Sequence, residues 1–176
     1  MERGRGEGRR HQGGLAEGKH AFPQATTRGH AFSPGICAKS AQIPTYEAGA
    51  AAVGAPTDPD LQLAAGALFE FAERHGVGRG SGLVANGVWS DGTVSDPGFR
   101  LWPQTERLKA VPRRRPDYAP GALNAIERHL VGMRPGLWIE RMDASGQAIA
   151  EPAPATSLYH LTAAFTDEAV LELGAQ

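Results

Sequence analysis

From Asp58 onward, apolar positions recur at helical spacing, then at strand spacing, then at helical spacing again. Leu61, Ala64, Ala65, Leu68, Phe69 and Ala72 share one helical face, with Asp58 as N-cap and Pro59 at the first helical position. Two short strands, "SGLVANGVW" and "GTVSD", follow and meet at Ser90-Asp91-Gly92, where Asp-Gly marks a hairpin. The stretch "FRLWPQTERLKA" (99–110) then predicts a helix start, with Pro103 suited to the first turn and Arg100 in the incoming loop. The order then repeats. Tyr118 to Met133 is predicted helical, with Ala122, Leu123, Ile126, Leu130 and Met133 on one face. "PGLWIERMD" and "GQAIAEP" read as strands around Ser145-Gly146. "PATSLYHLTAAF" reads as a helix capped by Thr156 or Ser157, packing through Leu158, Leu161, Thr162 and Phe165, with His160 and Ala164 to one side.

The repetition extends to residue identity. Glu73-Arg74-His75 matches Glu127-Arg128-His129, Val77-Gly78 matches Val131-Gly132, Gly82-Leu83 matches Gly136-Leu137, and Gly92 matches Gly146. Units of helix, β-hairpin and helix that cannot bury their apolar faces alone must stack in an array or close into a ring. The predicted fold is therefore mainly α, with short β-hairpin insertions. The same offset sets Glu106 against His160 and Trp102 against Thr156. If the two second helices are equivalent inner helices, Glu106 and His160 face one cavity.

Composition divides the chain at residue 57. Residues 1–57 hold 10 of the 23 Gly and few large apolar side chains. Such a segment buries too little surface to offset its chain entropy, and it is expected to be largely disordered. "RGRGEGRR" fits an Arg/Gly tail or a plain leader. Residues 58–176 make up the folded domain. A net charge of -1 gives no global reason to expect nucleic acid or an anionic membrane. The single cysteine, Cys37, suits a reducing cytoplasm. No apolar run is long enough to span a bilayer, and the charged start has no secretory h-region.

Two motifs carry candidate chemistry. Trp102 and Glu106 are four apart on one helical face, with Gln104 between them. An indole covers the apolar face of a pyranose while an amide and a carboxylate bond its hydroxyls. A buried Trp beside a structural Arg100–Glu106 ion pair reads equally from the spacing. His160 has a side chain that exchanges protons near neutral pH, so it suits acid/base work, a core role, or a link to Tyr159. Arg107, Lys109, Arg113, Arg114 and Arg115, with Pro112 and Pro116, fit either a phosphate reader or a solvated interhelical loop. No Walker loop, dinucleotide fingerprint or zinc spacing occurs, so neither cofactor nor metal is expected.

"RLWPQTERLKA", then "PGLW", a Gly turn and "PATSLYHLTAA", resemble in this order the C-terminal part of the N-acylglucosamine 2-epimerase superfamily, over about residues 58–176. The likeness is to its mannose-isomerase and mannose-6-phosphate-isomerase-like branch. It implies a partial α/α-toroid and a sugar or sugar phosphate as substrate, with aldose–ketose isomerisation or C2 epimerisation as the reaction. It implies His160 as acid/base and substrate-side roles for Arg100, Trp102, Gln104 and Glu106; Glu106 is also taken as a catalytic candidate, and Tyr159 as a substrate-binding one. The superfamily's "PGH..EW" motif has no full counterpart: Ile36 and Lys39 stand where its His and Glu belong. The expectation is therefore a truncated or degenerate copy, or a mis-assigned reading frame, with little or no isomerase activity alone. The alternatives are a non-catalytic helical-repeat remnant that binds a sugar or partner and self-associates through exposed faces, and a toroid glycosidase using Glu106 and Asp96.

Overall fold

The computed structural model describes residues 31–34 and 58–173. Helix α1 (Pro59–Gly76) starts as its sequence dictates, with the Asp58 carboxylate accepting from the Asp60 amide at 3.0 Å. It buries Ala65, Phe69 and Ala72, while Leu61 stays exposed. Strands β2 (Gly87–Trp89) and β3 (Val94–Asp96) form the first hairpin, and β4 (Phe99–Arg100) leads straight into helix α2 (Leu101–Arg114). A short 3-10 turn (Pro116–Tyr118) feeds helix α3 (Ala119–Leu130). The second hairpin, β5 (Arg141–Met142) and β6 (Ala148–Ile149), precedes helices α4 (Ala155–Phe165) and α5 (Glu168–Leu173).

The repeat is written into the backbone. Helices α1 and α3 end at equivalent residues, Gly76 and Leu130, and α2 and α4 begin at equivalent residues, Leu101 and Ala155. In the first turn Trp89 N donates to Thr93 O at 2.8 Å and Gly92 N to Trp89 O at 2.9 Å. In the second, Asp143 N donates to Gln147 O and Gly146 N to Asp143 O, both at 2.9 Å. Gly92 and Gly146 sit at φ +85° and +83°, the left-handed region that disfavours a Cβ. Each turn also has an aspartate, Asp91 or Asp143, accepting from the amide and hydroxyl two residues on.

Adjacent units interlock through their sheets. Strand β4 pairs with β5 of the next hairpin, Phe99 opposite Met142. Strand β1 (Ala31–Phe32) pairs with β2 in the same way, Phe32 opposite Val88. Pro34, just after β1, packs against Gly76. Of the segment expected to be low-order, these four residues lie within the described part; the rest of 1–57, including Ile36, Cys37 and Lys39, lies outside it.

Helix α2 is the centre of the molecule. It packs against α3, α4 and α5, and every residue from Pro103 to Val111 is buried. Leu101, Leu108 and Val111 join Phe69, Ile126, Leu161, Ala164 and Val170 in the main core. A smaller core of Leu83, Phe99, Ala125 and Met142 lies under the second hairpin.

Several expected details differ. Leu123 and Met133 are exposed, while the expected Ala122 and Ile126 are buried together with Ala119, Ala125 and His129. On α4 the buried face is Ser157, Leu161 and Ala164, while Leu158 and Phe165 are exposed. The anticipated Thr156 or Ser157 cap does not form: Pro154 holds the cap position, and the Ser157 hydroxyl goes to Glu140. The basic run is not a loop, because α2 continues through Pro112 to Arg114. Most of its charges are matched, although Arg114 Nε and Nη2 are buried without a hydrogen-bond partner among the described residues. Arg107 grips the Glu73 carboxylate with two bonds, at 2.7 and 3.0 Å. Arg113 meets Asp167 at 2.9 Å, and Arg115 lies between Asp117 and the Tyr118 ring. These pairings occupy Arg107, Arg113 and Arg115, but not Arg114.

Candidate active site

Helices α2 and α4 begin side by side, and Glu140 braces both starts. Its backbone oxygen accepts from Leu101 N at 3.1 Å. Its buried carboxylate accepts from Ser157 Oγ at 2.6 Å and from Trp138 Nε1 at 3.3 Å. A carboxylate near the first turn of α4 is also favoured by the helix dipole. Gln104 provides a second brace. Its Oε1 accepts from Val84 N at 2.8 Å, and its Nε2 donates to Val84 O at 2.9 Å and to Arg100 O at 3.0 Å. Its amide donates only to backbone among the described residues, and the side chain is fully buried.

With the helix starts fixed, one turn further on, Glu106 and His160 meet. His160 Nδ1 lies 3.0 Å from Glu106 Oε1. The same oxygen accepts from Lys109 Nζ at 2.9 Å. The Glu106 side chain is 1% exposed and that of His160 23%. The Glu106 carboxylate is thus shielded from solvent, while the His160 side chain is partly open to it. A carboxylate on Nδ1 makes that nitrogen the donor and leaves Nε2 as the basic site. Trp102 is half-buried beside it, its ring 6.0 Å from the imidazole centre to centre, and the Tyr159 ring stands at 5.5 Å, nearly edge-on. Tyr159 is 70% exposed. Arg100 is half-buried at the end of β4, opposite Arg141 and two residues before Trp102.

The structure thus gathers Glu106, His160, Trp102 and Tyr159, with Arg100 next to the start of α2 and Gln104 bonded to backbone. An Arg100–Glu106 ion pair does not form; Glu106 binds Lys109 and His160 instead. Asp96 bonds Asn86 Nδ2 and the Gly98 amide within the first hairpin region, which gives a glycosidase pairing with Glu106 no support. Sequence reasoning missed Lys109 and Glu140. Lys109 is three residues from Glu106, a spacing that puts both on one helical face, whereas Glu140 carries no local signal. Among the described residues, no cluster of three or more His, Cys, Asp or Glu is placed to hold a metal, and no helix is long and apolar enough to cross a membrane. An outer groove of about 380 Å³, lined by Asn124, Glu127, Arg128, Val131, Ile139, Met142 and Gly146, shares no residue with the His160 cluster.

Residues 50–164 match the family model for N-acylglucosamine 2-epimerase (GlcNAc 2-epimerase). The chain belongs to the N-acylglucosamine 2-epimerase family. Within that family's reach, it is 38% identical over 108 residues to a protein named mannose-6-phosphate isomerase from Rhizobium meliloti (strain 1021). That alignment takes in 55% of this chain and 28% of the relative's length. The fold resembles the crystal structure of a D-mannose isomerase, with a TM-score of 0.65 at 20% identity, covering 86% of this chain and 39% of the other. This N-acylglucosamine 2-epimerase family chain is therefore mainly helical with small sheets, an arc of an α/α-toroid, and spans less than half of each of these two relatives.

Proposed function

We propose that the chain carries the acid/base wall of a sugar isomerase site acting on mannose or mannose 6-phosphate. The observation that carries this reading is the 3.0 Å contact between His160 Nδ1 and a fully buried Glu106. With Nδ1 held, Nε2 takes the proton from the carbon next to the sugar carbonyl and returns it to the neighbouring carbon through an enediolate. Trp102 supplies an apolar face for the ring, while Arg100 and Tyr159 supply donors for its oxygens. Glu106 acts through His160. Ile36 and Lys39 occupy the sequence positions of the superfamily's second His and its Glu, so turnover by this chain alone is expected to be weak. Incubating the purified chain with each sugar and assaying the ketose tests this. Slow formation abolished by His160→Ala supports the reading; formation indifferent to His160→Ala refutes it.

A second reading rests on a different observation. Leu158, Phe165 and Leu171 are exposed on α4 and α5 at 55%, 43% and 58%. A non-catalytic helical-repeat unit that self-associates through this face accounts for them. Light scattering separates the two: a monomer with a cooperative melt counts against self-association.

A further inference from the structure

Lys109 has no role in the proton transfer just described, yet it reaches the oxygen that His160 uses. The residue is 8% exposed and Glu106 is 1% exposed, so the ammonium and the carboxylate meet in a poorly hydrated place. A buried carboxylate lacking a counter-charge grips an imidazolium much more strongly than a neutral imidazole. A ring held protonated cannot accept a proton from carbon. With Lys109 Nζ at 2.9 Å, the carboxylate already faces an ammonium, and His160 Nδ1 at 3.0 Å meets the same oxygen.

Among the described residues, from α2 the ring meets Glu106 directly, Lys109 only through Glu106, and the uncharged Trp102, and on its own helix it meets Tyr159. On the α5 side, Asp167 is bound to Arg113 at 2.9 Å, and Glu168 and Glu172 are exposed. Arg113 also donates to the Lys109 backbone oxygen at 2.6 Å, which holds the base of the lysine in place.

We propose that Lys109 is a positioning residue for His160: its ammonium neutralises Glu106, so the carboxylate fixes the imidazole tautomer without holding the ring protonated. The proposal rests on the reading of His160 as acid/base, but its test reads no turnover.

The test is an NMR titration of the His160 ring in the full chain, with Lys109→Met and Lys109→Arg. Lys109→Met is expected to move the His160 midpoint upward by about 1 pH unit, and Lys109→Arg to bring it back. A role in packing alone moves neither. An unmoved midpoint in folded Lys109→Met overturns the proposal. If that variant does not fold, the wild-type chain decides. The Lys109 Cε resonance must shift with the same midpoint as His160, and a resonance that stays flat through that titration overturns the proposal equally. An inactive chain whose midpoint moves removes the isomerase reading alone; an active chain whose midpoint does not move removes the Lys109 assignment alone.

Discussion

Helices α2 and α4 occupy equivalent places in the repeat, yet they solve opposite problems. Helix α2 is buried on all sides from Pro103 to Val111 although its sequence is rich in polar residues. It survives there because Gln104, Glu106, Arg107 and Lys109 each find a partner inside the protein. Helix α4 is the more apolar of the two, yet it buries one face and leaves Leu158, Tyr159 and Phe165 exposed. Burial here follows position in the array more than hydrophobicity. The contrast also produces the site: α2 delivers a paired, buried carboxylate, and α4 delivers an imidazole at its half-open edge.

The comparison is easiest to break at Arg107. Arg107→Ala leaves the Glu73 carboxylate buried without its bidentate partner and is expected to cost about 3–5 kcal/mol in chemical denaturation. A loss below about 1 kcal/mol would mean that α2 does not depend on its internal pairings. Gln104→Leu should cost less, about 1–3 kcal/mol, because it strips partners from the Val84 amide and carbonyl.

Helices α1 and α3 sharpen the same point through pH. His75 and His129 are repeat equivalents, but His75 is half-buried against Phe71 and Gly92 while His129 is fully buried with Nδ1 2.7 Å from Ile139 O. Burial pushes His129 below its ordinary range, with the Ile139 contact opposing in part. The folded state then binds fewer protons than the unfolded one once pH drops below about 6.5. Stability is full above that value and falls as the solution is acidified toward the lowered folded value. Denaturation midpoints at pH 7.5 and 5.5 should separate in the wild type and converge in His129→Gln. At the small end, Leu158→Ser on the exposed face of α4 should change stability by no more than about 0.5 kcal/mol.

Much of this was legible in the sequence, through the repeat. The offset that aligned Glu73-Arg74-His75 with Glu127-Arg128-His129 also aligned Glu106 with His160, and those two side chains touch. Arg113 and Asp167 stand at the same offset and form their own pair, a contact open to the same reasoning. What failed to come through has a common cause. Periodicity assigns faces only when one face is wet, and α2 has none, so nothing local told whether Gln104 pointed at a ligand or at Val84. On α4 the apolar positions Leu158 and Phe165 imitated a core face, while Ser157 and Ala164 were the buried ones. Glu140 joins the two helix starts from a loop, and no spacing within its own segment announces it.

The claim that His160, oriented by Glu106, moves a proton on and off a sugar carbon is tested most directly by isotope exchange. The chain would be incubated with mannose or mannose 6-phosphate in deuterated water and deuterium followed at C2 by NMR. Slow exchange at C2 that disappears in His160→Ala is the predicted result. Absence of exchange in the wild type, or exchange that persists undiminished in His160→Ala, would contradict it.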